Sequence, residues 1–327
     1  MKDELCRKRV ISNNKFFLLA QISGSLQEVD ITAPLNCEGY GRLRHFKRYP
    51  ASDWIADPLP IDPSIRYLGL PDTDSVIAQV FQIAICNLNC WYCFVPDDLR
   101  KANLANSRWF TAEQLIALYL KEKDKAAVID LSGGNPELVP EWTIEMIKSI
   151  KSNGLQDKVY LWADSSLTTN YFDKYLSKNQ KRILSSYKGF GQVGCFKGFD
   201  EESFAFNTGL NPQIFRKQFE NFKSLLKLGI DLYGYVTLTT PNIELIEQRI
   251  GAFFDELQAI HYFLPLRVVP LKIVEFTPVK YRINSIRKQA IENQRVVLKY
   301  WVKELDKRFS KEKRSLRICD INIRDDV

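Results

Sequence analysis

Three closely spaced cysteines form the segment of this 327-residue chain with the clearest capacity for chemistry, Cys86-Asn-Leu-Asn-Cys90-Trp-Tyr-Cys93. The C-x3-C-x2-C spacing is expected to bring three thiols towards one point, where thiolates bind zinc, iron or an iron–sulfur cluster. A closed tetrahedral zinc site needs a fourth protein ligand, and the only histidines, His45 and His261, are distant in sequence. A cubane cluster held by three cysteines leaves one iron open for chemistry.

The cysteine segment directly follows residues 76–85, which are apolar, β-branched or aromatic except for two glutamines. This composition predicts a buried β-strand. The cysteines are therefore expected in a loop at one end of a sheet.

The cysteine spacing, with Tyr92 directly before the third cysteine, resembles the signature of the radical SAM superfamily. The resemblance implies that Cys86, Cys90 and Cys93 bind a 4Fe-4S cluster whose open iron is chelated by S-adenosylmethionine (SAM). It also implies that an electron from the cluster cleaves SAM to a 5′-deoxyadenosyl radical, which abstracts hydrogen from a substrate of unassigned identity. An external one-electron donor of the flavodoxin or ferredoxin type is the implied partner. A structural zinc knuckle or a redox thiol loop is the alternative interpretation.

A second segment, Ser132-Gly133-Gly134-Asn135, is similar to the family's SGGEP stretch, which receives the methionine amino group of SAM. Glycines allow the backbone to approach a ligand closely. Asn135 stands where glutamate is usual, so the charge is lost, although an amide oxygen still accepts an N–H bond. Without the cysteines, the same glycines would indicate only a turn.

A third segment, Cys195-Phe-Lys197, resembles the Asp-x-Lys pair at the fourth strand of radical SAM enzymes related to activating enzymes. The resemblance implies a charge-assisted hydrogen bond from Lys197 to the SAM carboxylate. Cys195 replaces the aspartate, and a role as fourth ligand or hydrogen-atom donor is one interpretation of it. A solvated lysine and a small buried cysteine are the alternatives.

The remaining candidate contacts to SAM lie near two other strand ends. Asp164 follows the third predicted strand and is expected either to bind ribose hydroxyls or, with Ser165, to cap the next helix. The family pattern implies that Tyr92 lies beside the adenine and that the backbone near Val95 contacts the adenine edge. Ordinary packing at the barrel mouth is the alternative for Tyr92.

Six strand–loop–helix units follow one another from Val76, and this repetition predicts a parallel sheet. Composition leaves a barrel and a doubly wound sheet as alternatives, whereas the resemblance implies an α/β fold, a partial (β/α)6 radical SAM barrel. Residues 1–75 are predicted to form an irregular N-terminal extension and residues 76–280 the core. Residues 281–327 are predicted to form a basic C-terminal helix and a terminal strand.

Charge is unevenly distributed along the chain. The formal net charge is +7, and residues 280–318 hold thirteen Lys or Arg and four Asp or Glu. This excess indicates a solvated helix face, or a surface that binds nucleic acid or an acidic partner. A second basic run, residues 42–49, interleaves aromatic residues and is interpreted as a surface segment, with a nucleic-acid or anionic-substrate contact as the alternative.

These features favour a cytoplasmic radical SAM enzyme. Seven cysteines indicate a reducing compartment, and no apolar run reaches the length of a membrane helix. Two histidines make His-based catalysis a poor fit. Activation of a partner's glycyl radical, peptide modification and RNA modification share the chemistry, and the lack of a second C-x2-C group counts against peptide modification. The alternative function is a non-catalytic Fe–S or zinc protein that binds nucleic acid through residues 280–318.

Overall fold

The computed structural model describes residues 2–323 of the chain. Within these residues the β-strands are β1 Ile11–Ser12, β2 Phe16–Ala20, β3 Gly41–Lys47, β4 Ser75–Phe81, β5 Ser107–Phe110, β6 Val128–Leu131, β7 Tyr160–Ser165, β8 Phe190–Phe196, β9 Asp231–Thr237 and β10 Val268–Leu271. The α-helices are α1 Lys2–Lys8, α2 Ile61–Leu68, α3 Ala112–Lys121, α4 Pro140–Ser152, α5 Tyr171–Tyr175, α6 Lys178–Ser186, α7 Glu201–Thr208, α8 Ile214–Lys227, α9 Ile246–Ile260, α10 Thr277–Lys280, α11 Ser285–Arg308 and α12 Lys311–Arg314.

The main sheet has seven strands in the order β10-β9-β8-β7-β6-β4-β3. Strands β4, β6, β7, β8, β9 and β10 pair in parallel, and each lies beside its successor. Because every crossover advances in the same direction, the sheet has no point at which its order reverses, as a doubly wound sheet must have. The sheet begins and ends at β3 and β10, which do not pair with each other. The fold is therefore the predicted partial (β/α)6 barrel.

The N-terminal residues contribute to this barrel. β3 pairs antiparallel with β4 along its whole length, from Gly41 opposite Phe81 to Lys47 opposite Ser75. The chain after β3 then crosses towards β9 and β10, where Trp54 Nε1 donates to the Pro270 carbonyl at 2.9 Å and the Tyr235 hydroxyl donates to Asp57 Oδ2 at 2.8 Å. These contacts cover the open side of the barrel.

Side chains alternate between the two faces of the sheet, as the pleat requires. Leu131 and Leu161 belong to the large core beneath the helices, whereas Trp162, Tyr233 and Phe46 belong to a second core inside the barrel. The inner face is therefore packed at the amino ends of the strands.

A small second sheet holds the segment that carries the cysteines. It has the order β1-β2-β5. Beyond β4 the chain pairs with β2, because Ala20 N–H donates to the Gln82 carbonyl and Ala84 N–H donates to the Leu18 carbonyl, both at 2.9 Å. The cysteine loop thus starts from a supported strand end.

Two local expectations have opposite outcomes. The long basic helix is confirmed as α11, which buries Val297, Leu298 and Trp301. The short strand expected over residues 314–323 is wrong, because this stretch holds the end of α12 and a 3-10 helix, Ile318–Asp320. Its Ile321 carbonyl accepts from the Arg267 guanidinium at 3.1 Å. A side chain thus supplies the hydrogen-bond donor that a neighbouring strand would supply in a sheet. Among the described residues, no helix is both long enough and apolar enough to cross a membrane.

Candidate active site

The cysteine loop supplies donors that suit an iron–sulfur cluster. Cys90 is buried, Cys86 and Cys93 are half-buried, and all three are free thiols. Burial, together with the charges of Cys90 and Cys93, raises the pKa of Cys86 to about 12. Three thiolates are therefore unfavourable here until cations neutralise them, as the irons of a cluster do.

The expected convergence of the sulfurs on one point is not found. Within residues 2–323 no group of three or more His, Cys, Asp or Glu side chains is placed to hold a single metal ion. A 4Fe-4S cluster gives each thiolate its own iron, so its ligands need not meet at one atom. The loop fits the cluster on the chemistry of its donors.

An arginine from beyond the barrel organises this loop, and the sequence analysis did not single it out. Arg282 Nη1 donates to the Cys93 carbonyl at 2.9 Å, and Nη2 donates to the Val95 carbonyl at 3.0 Å. Longer contacts of 3.4 and 3.5 Å reach the Trp91 and Cys90 carbonyls. One planar guanidinium thus contacts four backbone carbonyls between Cys90 and Val95.

Arg100 supports the same loop from its other side. Its side chain is almost fully buried and donates to the Leu88 carbonyl at 2.9 Å and to Asn89 Oδ1 at 2.8 Å. Arg100 and Arg282 both pair with Asp97, at 2.5 and 3.4 Å. The cysteine loop is consequently held between two guanidinium groups that share one carboxylate.

The predicted glycine turn lies against the strand end that leads to the cysteines. Gly133 and Gly134 have φ of +94° and +66°, in the left-handed region that favours glycine. A Cβ on Gly134 would lie 2.2 Å from the Ile83 carbonyl oxygen and 2.5 Å from that of Ile85. Gly134 is therefore required by close backbone contact, and Gly133 by its φ and by the Gln82 side chain, which a Cβ would meet at 2.4 Å. This packing also brings Asn135 to the cysteine loop.

Asn135 is buried and makes two hydrogen bonds at the cysteine loop. Its N–H donates to the Ile85 carbonyl and its Nδ2 donates to Asn87 Oδ1, both at 2.7 Å. Its Oδ1 is buried without a hydrogen-bond partner among the described residues. A buried acceptor that is left unpaired is costly unless a ligand donates to it. This atom is the acceptor that the resemblance assigns to the SAM amino group.

Asp164 lies at the end of β7, next to this turn. Its Oδ2 accepts from the Ser132 hydroxyl at 2.6 Å. The capping alternative is wrong, because α5 begins only at Tyr171 and Ser165 donates instead to the buried Glu137. Neighbouring strand ends thus present an amide and a carboxylate at one edge of the sheet.

Glu137 is a structural residue that the sequence analysis did not use. Its carboxylate accepts five hydrogen bonds, from the hydroxyls of Ser165 and Thr168 and the N–H groups of Leu167, Thr168 and Thr169. A carboxylate so fully engaged fixes the loop after β7, which presents Asp164.

Lys197 and Cys195 are half-buried at the end of β8 and on the inner side of the barrel. Burial alone would lower the pKa of Lys197, but the ionisable groups of Cys195, Tyr92, Cys90 and Asp164 raise it well above its ordinary value. These neighbours place Lys197 at the predicted site and contradict its interpretation as a solvated surface lysine. Burial raises the pKa of Cys195 to about 12, so this thiol is protonated at neutral pH.

Tyr92 and its neighbour anchor the loop to the barrel. The Tyr92 hydroxyl is 3.1 Å from Thr237 Oγ1, at the end of β9. Trp91 Nε1 donates to Asn207 Oδ1 at 3.1 Å, and Asn207 Nδ2 donates to the Lys197 carbonyl at 3.0 Å. Asn207 was not identified from the sequence, where a single asparagine in a helix gives no signal.

Comparisons with known proteins match the part of the chain that carries the candidate site. A model of the family described as the Radical SAM superfamily matches residues 82–250. The pyruvate formate-lyase-activating enzyme of Clostridium pasteurianum is 32% identical over 100 residues, 29% of this chain and 40% of that protein. A probable GTP 3′,8-cyclase of Methanococcus aeolicus is 28% identical over 220 residues, 62% of each chain. The matches thus span less than two thirds of either relative.

A solved structure adds a comparison of the fold. Streptococcus suis SuiB bound to the precursor peptide SuiA is similar over 70% of this chain and 46% of that chain, with 14% identity and a TM-score of 0.48. The family model covers just over half of the chain and includes the cysteine loop, the glycine turn and the end of β8. The chain therefore belongs to the radical SAM superfamily, whose enzymes use a 4Fe-4S cluster and SAM.

Proposed function

We propose that this radical SAM enzyme holds its cluster on Cys86, Cys90 and Cys93, cleaves SAM reductively and abstracts hydrogen from a substrate in the barrel. The observation that carries the proposal is the unpaired, buried Oδ1 of Asn135 beside the cysteine loop. When bound, the cluster supplies one electron to SAM from an external donor of the flavodoxin or ferredoxin type. That electron would cleave the bond between the sulfonium sulfur and C5′, giving methionine and a 5′-deoxyadenosyl radical that would take hydrogen from the substrate.

The roles of the surrounding residues follow from their chemistry. Asn135 Oδ1 accepts the SAM amino group, and Lys197 donates to the SAM carboxylate. Asp164 accepts from the ribose hydroxyls, because its second oxygen remains beside the one that Ser132 engages. Tyr92 and the backbone near Val95 flank the adenine. Cys195 faces the same interior as a protonated thiol, from which a hydrogen atom can be donated.

Three substrate classes share this chemistry: a glycyl-radical partner enzyme, a ribosomal peptide and RNA. The name of the C. pasteurianum relative supports the first, over 100 aligned residues. Contacts of α11 disfavour nucleic-acid binding, because Arg295, Lys303 and Arg308 pair with Asp53, Glu247 and Asp255. A basic face whose charges are already paired attracts phosphate less. We therefore consider nucleic acid a less favoured substrate than a partner protein or a peptide.

Anaerobic reconstitution with iron and sulfide tests this proposal. We expect the optical and EPR signals of a 4Fe-4S cluster, a change in the EPR signal on addition of SAM, and 5′-deoxyadenosine after dithionite reduction. Cys90→Ala should lose the cluster, whereas Cys319→Ala, which removes a half-buried cysteine remote from the loop in sequence, should retain it. Bound zinc, or a cluster whose EPR spectrum ignores SAM, would overturn the proposal.

A further inference from the structure

Strand β3 brings two arginines into the barrel. Arg42 pairs with Val80 and Arg44 with Ala78, so both side chains lie on the inner face with Phe46. The sequence analysis interpreted this run as a surface segment, which is wrong for these two residues. An even spacing along a strand places side chains on one face, and here that face is the interior.

Neither guanidinium donates a hydrogen bond to any residue that the structure describes. Arg42 is 8% exposed, and its Nε is buried with no partner. The Arg44 side chain is 32% exposed and forms an ion pair with Asp130 at 3.6 Å, without a hydrogen bond. Arg42 also lies 5.2 Å from the centre of the Phe94 ring, and Arg44 lies 4.0 Å from that of Phe46. Both cations thus keep hydrogen-bond donors that no described residue accepts.

The acidic groups around the pair compensate Arg44 but not Arg42. Burial opposes both charges, yet Asp130 and the groups near it raise the pKa of Arg44 above its usual value, whereas the pKa of Arg42 is lowered. Burial and the nearby Asp164 raise the pKa of Asp130 to about 8, so this carboxyl is mostly protonated at neutral pH. Asp164 accepts from Ser132, and Asp57 accepts from the Tyr235 hydroxyl and the Leu59 N–H.

The two arginines also oppose each other. Burial, followed by the charge of Arg44, lowers the pKa of Arg42 to about 10. A pair of like charges in a protein interior is unfavourable without an anion between or beside them. Carboxylates and phosphates match the planar guanidinium fork and satisfy two donors at once.

We propose that Arg42 and Arg44 form a binding site for an oxyanion of the substrate, a carboxylate or a phosphate, on the β3 side of the barrel interior. This inference rests on the proposed function, because it assigns the substrate of that same site a negatively charged group. The proposed SAM contacts lie on the loop after β4 and at the ends of β6, β7 and β8. Arg42 and Arg44 reach the same interior from β3.

Calorimetric titration of the reconstituted enzyme with SAM present tests this site. Pyrophosphate is the phosphate probe and succinate the carboxylate probe, and we expect one of them to bind saturably. Arg44→Gln and Arg42→Gln should each weaken that binding about tenfold or more, because each removes charge-assisted hydrogen bonds. Arg44→Lys should recover part of the affinity. Lys47→Gln removes one charge from the exposed face of the same strand and should leave binding unchanged.

The two probes separate a phosphate-bearing from a carboxylate-bearing substrate. Failure of both to bind, or equal binding to the wild type and both arginine variants, would overturn the arginine site. Production of 5′-deoxyadenosine is measured on the same samples and reports on the proposed function alone. If the enzyme cleaves SAM but binds neither probe, only the oxyanion site is refuted. If it binds a probe without cleaving SAM, only the proposed reaction is refuted.

Discussion

Two pairs of arginines lie inside this protein and have opposite surroundings. Arg100 and Arg282 donate to carbonyls of the cysteine loop at 2.9–3.0 Å and share Asp97. Arg42 and Arg44 donate no hydrogen bond to residues 2–323. Arg44 forms an ion pair with Asp130 at 3.6 Å, and each guanidinium lies over an aromatic ring.

The difference separates structural charge from charge that is available to a ligand. A guanidinium whose donors all meet carbonyls contributes to folding, and its removal leaves buried carbonyls without partners. A guanidinium without partners opposes folding, because its desolvation is not offset. Such a group is retained in a protein interior when something outside the chain binds it. Substitutions at the two pairs should therefore differ in sign as well as in size.

The largest effect is expected for Arg282→Gln. The shorter, neutral side chain leaves the Cys93 and Val95 carbonyls unpaired and removes one of the three cations that pair with Asp97. We expect a loss of about 3 kcal/mol in the free energy of unfolding. Urea unfolding of the apoprotein measures it, and iron content after gel filtration should fall in parallel. Unchanged stability and iron content would contradict the structural role.

A pH effect is expected next, from Asp130. Burial, with the charge of Asp164, raises its folded-state pKa to about 8, far above that of an unfolded aspartate. Since the folded state keeps a proton that the unfolded state has lost, stability should fall as pH rises from about 4 to about 8. Asp130→Asn should flatten this dependence. Thermal unfolding at a series of pH values measures it, and an unchanged slope in the variant would refute the assignment.

Arg100→Gln should produce an intermediate effect on the cluster. A cation beside an anionic cluster favours the reduced state, which carries one more electron. We expect the variant to hold about tenfold less reduced cluster at a fixed potential, a shift of about 59 mV for one electron. EPR-monitored redox titration measures the midpoint. Lys121→Gln, at the exposed end of α3, provides a control that removes one remote charge.

The smallest effect on folding is expected for Arg44→Met. It removes a cation without hydrogen-bond partners and keeps an apolar chain against Phe46. We expect the free energy of unfolding to stay within about 1 kcal/mol of the wild type or to rise. The same urea experiment measures it. A loss as large as that of Arg282→Gln would break the distinction between the two pairs.

Much of the site near the cysteine loop could be predicted from the sequence, because its parts are local. The cysteine spacing lies within eight residues, and the glycine turn lies within four, Ser132 to Asn135. Six successive strands and helices predict a parallel sheet, and the family resemblance implies a partial barrel. The strand order confirms both. The roles of Lys197, Asp164 and Asn135 towards SAM stay predictions that the proposed experiments test.

The remaining features depend on contacts between distant parts of the chain. Arg282 lies 192 residues after the Cys90 carbonyl that it approaches, and the sequence assigned it to a basic solvated helix region. Residues 1–75 were expected to be irregular, yet β3 completes the sheet. The terminal strand was expected because apolar and polar residues alternate there. In the structure the Ile321 carbonyl accepts from Arg267 instead of from a neighbouring strand.

The sequence by itself indicated which chemistry this protein supports, because the three cysteines, the two glycines and the alternation along a strand are patterns within a few residues. Only the tertiary structure decided which charges meet. A spacing of two places Arg42 and Arg44 on one face of β3, but the pairing of β3 with β4 selects the interior face. That choice depends on the burial of the whole sheet. The same long-range packing brings Arg282 to the cysteine loop, where both of its terminal nitrogens donate to carbonyls.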